Sequence, residues 1–365
     1  MLHLTRRWQA GLVWLMGTFF MSVSPASAES DVLERSALES VRASTSVLIA
    51  VTRSGQRLVA AGERGMIVLS DDSGVTWRQA RVPVSVSLTG IAFPTASKGW
   101  AVGHGGVVLS SNDGGETWTK QLDGRQVANM LLEAAKAGSP LAGKDTQAAL
   151  AEANRLVADG PDKPFLDVKF FDSERGLIVG AFGMVLSTDN GGKTWQPALD
   201  RLDNPGGKHL NAISIADRDV YLVGEHGIVF RSSDGGRKFV ELKTPYAGTY
   251  FGALAVDSNS LIVFGLRGQA YRSGDRGTNW QKVDAGTAST LTAGMRLDDG
   301  SLVLADESGR LLYSRDSGLH FKPLRVPRPY PFTGIVQATD SSLNLSGVRG
   351  MTRFTFPTLL EDSTK

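Results

Sequence analysis

One short string returns along this chain at near-regular intervals, and that recurrence restricts the fold more than any bulk property. It reads "SDDSGVTW" from Ser70, "SNDGGETW" from Ser111, "SSDGGRKF" from Ser232, "SGDRGTNW" from Ser273 and "SRDSGLHF" from Ser314. A slightly displaced copy, "STDNGGKTW", covers residues 187–195. A second element precedes each copy, a G-x-x-G turn followed by a β-rich run, as in "GERGMIVLS" at Gly62 and "GHGGVVLS" at Gly103. Its seven occurrences start 41, 77, 44, 41, 41 and 41 residues apart, the last being "GVRGMTRF" at Gly347. A fixed period of this size is the mark of a repeat architecture.

Each unit resolves into four short, alternating, β-branched runs separated by glycine turns, for example "LTGIAF", "GWAVG", "GVVLSS" and "TWTKQL". That pattern predicts antiparallel sheet. Four-stranded units at a period of about 40 residues predict a β-propeller, and seven units predict seven blades. After "GMTRFTF" the chain offers no convincing fourth strand for the last blade. The unused segment 32–40, "VLERSALES", is therefore expected to supply the outer strand of blade 7 and close the ring.

The acidic string is best read as a structural staple. The carboxylates of Asp72, Asp113, Asp234, Asp275 and Asp316 are short enough to accept N–H groups of their own turn. The aromatic residues Trp77, Trp118, Trp195, Phe239, Trp280 and Phe321 begin the fourth strand, where a large ring is expected to pack against the next blade. A catalytic constellation is not normally built six times in one chain.

The 77-residue spacing contains an insertion at 123–164. Asp123 with Gln126 forms a plausible capping box and Gly138 a stop, so a helix is expected with Val127, Met130, Leu131 and Ala134 on its apolar stripe. Asp145 is placed to cap a second helix, with a stripe through Leu150, Ala153 and Val157. The pair reads either as local cover for the blade or as an arm for a partner.

Residues 1–28 have the pattern of a secretory signal: Arg6-Arg7, an apolar run from Trp8 to Val23, then Ala26-Ser27-Ala28, with cleavage expected after Ala28. Residues 29–365 then carry equal numbers of basic and acidic groups, 37 of each, so no global attraction to nucleic acid is expected. There is no cysteine, which excludes disulfides, a Cys nucleophile and attachment of lipid to a cysteine. A periplasmic or secreted monomer without a lipid anchor is expected.

In a propeller the turns between second and third strands share a face with the links between blades. Arg64, His104, Phe182, His226, Arg267 and Arg349 fall in those turns; Arg328 and Tyr330 fall in a link. Arg and aromatic residues are enriched at interface hot spots, which marks this face for a protein partner. His104, His209 and His226 could in principle hold zinc, but their turns are expected to lie too far apart, so neither metal nor cofactor is expected. A glycosidase needs two facing carboxylates, and of the inner strands only "LDVKFF" offers one, Asp167.

The acidic string resembles the Asp-box, or BNR, repeat of sialidases and related propellers. The run "GWAVGHGGVVLSSNDGGETW" resembles, more closely, the photosystem II stability and assembly factor family of seven-bladed propellers. The resemblance covers nearly the whole chain after residue 28. It implies a non-enzymatic exported propeller that assists a membrane protein complex: photosystem II in a photosynthetic organism, a membrane transporter or other inner-membrane complex elsewhere. Cyanobacterial members are commonly lipid-anchored through a cysteine, and this chain departs from them there. The alternative is a sialidase-like glycosidase or a carbohydrate-binding propeller; the six-bladed ring and F/Y-R-I-P motif of sialidases are absent.

Overall fold

The structure, a computed structural model, describes residues 31–138 and 145–355. The expected signal at 1–28 lies outside these. Seven antiparallel sheets form, each built in chain order from its inner to its outer strand. Blade 1 uses Leu48–Ser54, Arg57–Gly62, Ile67–Ser70 and Arg78–Gln79; blade 2 uses Leu88–Ala92, Gly99–Gly103, Val108–Ser111 and Thr119–Leu122. Inner strands of adjacent blades pack side by side around the ring, and that of blade 7, Phe332–Gln337, lies against that of blade 1. The fold is a seven-bladed β-propeller.

Each box closes on itself by the same bonds. In blade 2, Ser111 Oγ donates to Asp113 Oδ1 at 2.7 Å and accepts from Gly115 N at 2.9 Å. Thr117 donates to Asp113 through both its N–H, at 3.0 Å, and its hydroxyl, at 2.5 Å. Blade 3 performs the same closure with neutral groups: Thr188 Oγ1 donates to Asn190 Oδ1 at 3.0 Å, and Thr194 N donates to Asn190 Oδ1 at 3.0 Å. The copy that looks displaced in the sequence is thus in register, with Thr188 and Asn190 in place of Ser and Asp.

The rings pack in the opposite direction to that expected. Trp118 lies in a core with Val59, Ile67 and Leu69 of blade 1, the preceding blade. Trp77 packs with Val336 and Ala338 of blade 7, and Phe239 with Leu177 and Val179 of blade 3. The turn itself explains the direction. A Cβ on Gly115 would stand 3.2 Å from Leu69 Cδ2, so the box already leans on the preceding sheet and the indole follows it.

Segment 32–40 does not form the outer strand of blade 7. It runs without strand structure over the link between blades 1 and 2, where Ser85 N donates to Val32 O at 2.8 Å and Ala37 N to Val82 O at 3.0 Å. Leu33, 2% exposed, is buried among Val82, Val84 and Leu109. Leu33, with Ala37 packed beside the same cluster, fixes this course; the segment has no alternation that could cover a sheet edge, and Leu38 is 77% exposed. Blade 7 keeps three strands among the described residues. It closes on blade 1 through side chains: Thr333 Oγ1 donates to Leu48 O at 2.7 Å, while Asn344 Nδ2 and Arg353 Nε donate to Ser73 O at 3.2 and 3.0 Å.

The insertion forms helices α1 (Gly124–Lys136) and α2 (Thr146–Asp159). Asp123 accepts from Arg125 N at 3.0 Å while Gln126 Oε1 accepts from Asp123 N at 2.9 Å, and Asp145 accepts from Ala148 N at 2.8 Å. The helices bury Val127, Leu131, Ala149, Ala153 and Leu156 against Trp100, Phe165 and Trp195 at the seam of blades 2 and 3. In α2 Ala153 is buried as expected, but Ala149 and Leu156 take the places expected of Leu150 and Val157, leaving Val157 40% exposed. The hairpin therefore covers a seam.

The box carboxylates ionise unusually easily. Asp72 is lowered to about 2, first by the Thr76 hydroxyl and then by the Thr76 N–H; Asp275 is lowered to about 2, first by the Asn279 N–H. Their folded values lie below the ordinary value of about 3.9, so their stabilisation is present above that value and is lost as pH falls from about 4 towards 2. Urea titrations across this window should show stability falling with acid. Asp72→Asn should flatten that fall while folding normally at neutral pH, since Asn190 already does this work in blade 3. Trp118→Ala should cost about 3–5 kcal/mol, read from the urea midpoint.

Candidate partner-binding face

The turns between second and third strands are built around left-handed backbone. In five blades the second turn residue has positive φ: Arg64 (54°), Gly105 (69°), Phe182 (56°), His226 (54°) and Arg267 (58°). The glycine after each is also left-handed, and its missing Cβ is required. A Cβ on Gly65 would lie 2.0 Å from Val84 O, one on Gly227 1.7 Å from Tyr246 O, and one on Gly268 2.0 Å from Thr287 O. The contacted carbonyls belong to the links leading to the next blade. Gly65 N bonds Val86 O at 2.6 Å and Gly227 N bonds Gly248 O at 2.5 Å, so turns and links form one continuous surface.

This geometry holds the second turn residue outward. Arg64, His226 and Arg267 are exposed, and Phe182 is 45% exposed. For a side chain other than glycine, the left-handed conformation costs roughly 1–2 kcal/mol. In blade 2 the position falls to Gly105, so His104 is the first turn residue and, though exposed, is not equivalent to the others. Blades 6 and 7 turn differently. Asp306 replaces the leading glycine of blade 6, and its fully buried carboxylate accepts from Ser308 N at 2.9 Å, Arg310 N at 3.0 Å and Thr287 Oγ1 at 2.8 Å. Burial alone would raise its pKa; the Ser308 hydroxyl, the Arg310 N–H and the Thr287 hydroxyl hold it below the ordinary value.

Tyr330 is not a surface residue. It is 8% exposed, its hydroxyl pairs with that of Thr352, and the exposed Arg349 guanidinium stands 5.9 Å above its ring. It supports Arg349 instead of presenting itself. Arg328, two residues earlier, is exposed. Phe182 meets His209 edge-on, with ring centres 4.9 Å apart, and Lys163 Nζ lies 5.2 Å from its ring centre. Lys163, at the end of the insertion, carries no motif and was invisible as a site residue in the sequence. Glu225 is committed to the scaffold, accepting from His209 N at 2.9 Å. Among the described residues no cluster of three metal-ligating side chains exists, and the histidines at 104, 209 and 226 do not converge.

The inner strands enclose a central cavity of about 630 Å³, and Asp167 is the one carboxylate among its described lining residues. Both Asp167 oxygens are occupied: Oδ1 accepts from Val168 N at 2.8 Å with Lys169 Nζ 3.7 Å away, and Oδ2 accepts from Ile213 N of blade 4 at 2.9 Å. The group ties two blades together, and it has no second carboxylate to work with.

The family model for photosynthesis system II assembly factor YCF48 matches residues 69–137 and 148–322. The chain belongs to this family. Over 87 residues, 22% of this chain and 25% of the relative, it is 37% identical to photosystem II assembly lipoprotein Ycf48 of Synechococcus sp. (strain CC9902). Over 103 residues, 27% of this chain and 25% of the relative, it is 30% identical to photosystem II stability/assembly factor HCF136, chloroplastic, of Oryza sativa subsp. japonica. The chain thus spans about a quarter of the length of each curated relative it matches. Among solved structures, YCF48 bound to D1 peptide superposes with a TM-score of 0.62 at 15% identity, covering 87% of this chain and 97% of that one. YCF48 from Cyanidioschyzon merolae gives 0.62 at 14%, covering 85% and 96%. At such identities the likeness is one of fold. It extends to the WD40 propeller of Doa1, with a TM-score of 0.59 at 10% identity, covering 89% and 96%.

Removing the side chain at a strained turn separates stability from binding. Arg267→Gly should stabilise the fold by about 0.5–1 kcal/mol, because glycine meets the left-handed φ without steric cost. Thermal unfolding of the variant should show a raised midpoint.

Proposed function

We propose that this chain is a non-enzymatic, exported propeller that binds a protein partner belonging to a membrane complex, as an assembly or stability factor. The observation that carries this reading is the set of strained turns in a member of the YCF48 family. Arg64, Phe182, His226 and Arg267 occupy one turn position in four blades, each in the left-handed conformation that blade 2 meets with Gly105. The boxes on the opposite face carry the same left-handed φ at Ser73, Arg276 and Ser317, so what sets this face apart is the cationic and aromatic nature of the side chains held there. With Arg349, Arg328 and His104 these residues give the rim a cationic and aromatic character suited to protein recognition.

Membership of the family favours photosystem II, or its subunits, as the partner in a photosynthetic organism; the structural neighbour YCF48 bound to D1 peptide is a precedent for a peptide ligand. In a non-photosynthetic organism the same face would serve a membrane transporter or another inner-membrane complex. Export rests on the signal pattern at 1–28, and the periplasm or an equivalent compartment is the proposed location. The Synechococcus relative is named a lipoprotein, whereas this chain has no cysteine to carry a lipid, so a monomer free of a lipid anchor is proposed. The glycosidase alternative lacks support from the cavity, where Asp167 stands alone and fully engaged.

Crosslinking in the native compartment, followed by mass spectrometry, should capture a membrane protein through the turn face. Arg64→Glu with Arg267→Glu should reduce that capture at least about tenfold, the scale on which buried interface arginines act, with the circular dichroism spectrum unchanged. Undiminished capture by this variant would remove the turn face from the reading. Hydrolysis of aryl glycosides by the purified chain would favour the enzyme.

A further inference from the structure

Every inner strand carries one bulged residue near its start, passed over in the pairing with the second strand. The start of each inner strand follows a link, so these residues lie at the turn-face end of the central cavity, and all seven line it. Bulges re-aim side chains and are common beside functional sites. Four of the seven tie their blade to the next. Thr89 Oγ1 donates to Phe165 O at 2.7 Å, Asn211 Nδ2 to Tyr250 O at 2.8 Å, Thr292 Oγ1 to Phe332 O at 2.7 Å and Thr333 Oγ1 to Leu48 O at 2.7 Å. The other three are Ile49, Leu166 and Phe251, in blades 1, 3 and 5. Their side chains have no donor, so the ring forgoes this tie at three seams and holds apolar surface there instead.

The fold leaves that surface partly uncovered: Ile49 and Leu166 are half-buried and Phe251 is 40% exposed. Further along, the cavity becomes cationic. The charged residues among its described lining are Asp167, Lys169 and Arg296. Both Asp167 oxygens already accept backbone N–H groups, whereas Lys169 is half-buried and Arg296 exposed. Lys169 comes three residues after the bulge of its strand and Arg296 four, which places them about 10–13 Å along the strands from the apolar side chains. The cavity volume of about 630 Å³ falls within the ~300–1,000 Å³ of small-molecule sites. An apolar mouth and a cationic interior, separated by this distance, suit a ligand with an apolar tail and an anionic head.

We propose that the central channel binds an amphipathic monocarboxylate, an unbranched acid whose tail lies against Ile49, Leu166 and Phe251 and whose carboxylate meets Lys169 and Arg296. With C–C bonds of ~1.5 Å, a chain of about ten carbons spans the distance. The site goes beyond the turn-face reading and does not depend on it.

The test is titration calorimetry of the whole exported chain with decanoate, and with decanol as the same tail lacking the charge. Decanoate should fill one saturable site per chain, and decanol should bind at least about tenfold more weakly, equivalent to about 1.4 kcal/mol. Lys169→Gln with Arg296→Gln should weaken decanoate about tenfold and leave decanol unchanged. Phe251→Thr should also weaken decanoate about tenfold, with the circular dichroism spectrum unchanged, because a threonine at this position can make the tie that Thr89 and Thr292 make. Leu166→Thr provides the same test should that variant fail to fold. Three results would overturn the proposal: no saturable binding of decanoate, decanol binding as tightly as decanoate, or undiminished decanoate binding by a folded Phe251→Thr or Leu166→Thr variant. The turn-face reading is decided separately, by its own crosslinks.

Discussion

The joint between one blade and the blade before it governs this molecule. A single repeat cannot bury its hydrophobic face alone and needs its neighbours stacked against it. Each box therefore does two things at once. Its carboxylate or amide closes the turn, and the closed turn leans backwards so that a Trp or Phe ring enters the neighbouring sheet. Several seams add a polar clasp from the preceding blade: Arg57 Nη1 reaches Gly114 O at 3.1 Å, Arg201 Nη1 reaches Gly236 O at 3.0 Å, and Arg272 Nε reaches Ser317 O at 2.8 Å. The same clasp, made by Arg353 on Ser73 O, closes the ring between the last blade and the first.

That division of labour leaves the other face free. The boxes lie at one end of the strands and hold the assembly; the glycine turns and links lie at the other end. There the backbone is locked by contacts too close for a Cβ, and side chains are held outward in conformations they would not choose. A rigid scaffold with a strained, outward-pointing rim suits recognition, since little order remains to be imposed on binding. The cavity at the centre has a different character. Its one carboxylate is used to stitch blades 3 and 4, so the inner strands are better understood as seams than as a reaction site.

Much of this was legible in the sequence because a repeat is read against itself. The period, the box and the G-x-x-G turn each recur often enough that the blade count and the antiparallel order follow from them. The helix caps at Asp123 and Asp145 were legible for a different reason, since capping depends on residues only a few positions apart. The course of 32–40 was not. Its fate depends on whether Leu33 finds a pocket between blades 1 and 2 or an edge on blade 7, and both lie far away in sequence. The burial of Tyr330 was hidden in the same way, and so was the place of Lys163 over Phe182.

The amino-acid sequence by itself determined the local closures: which turns form, where a ring begins a strand, and therefore how many sheets the chain makes. These rest on hydrogen bonds and φ preferences within a few residues. Only the tertiary structure decided the direction in which the rings pack, how the ring closes without a fourth strand among the described residues of blade 7, and which side chains remain exposed. Those outcomes depend on apolar surfaces competing for partners from remote parts of the chain, and burial is non-directional until the sheets are brought together.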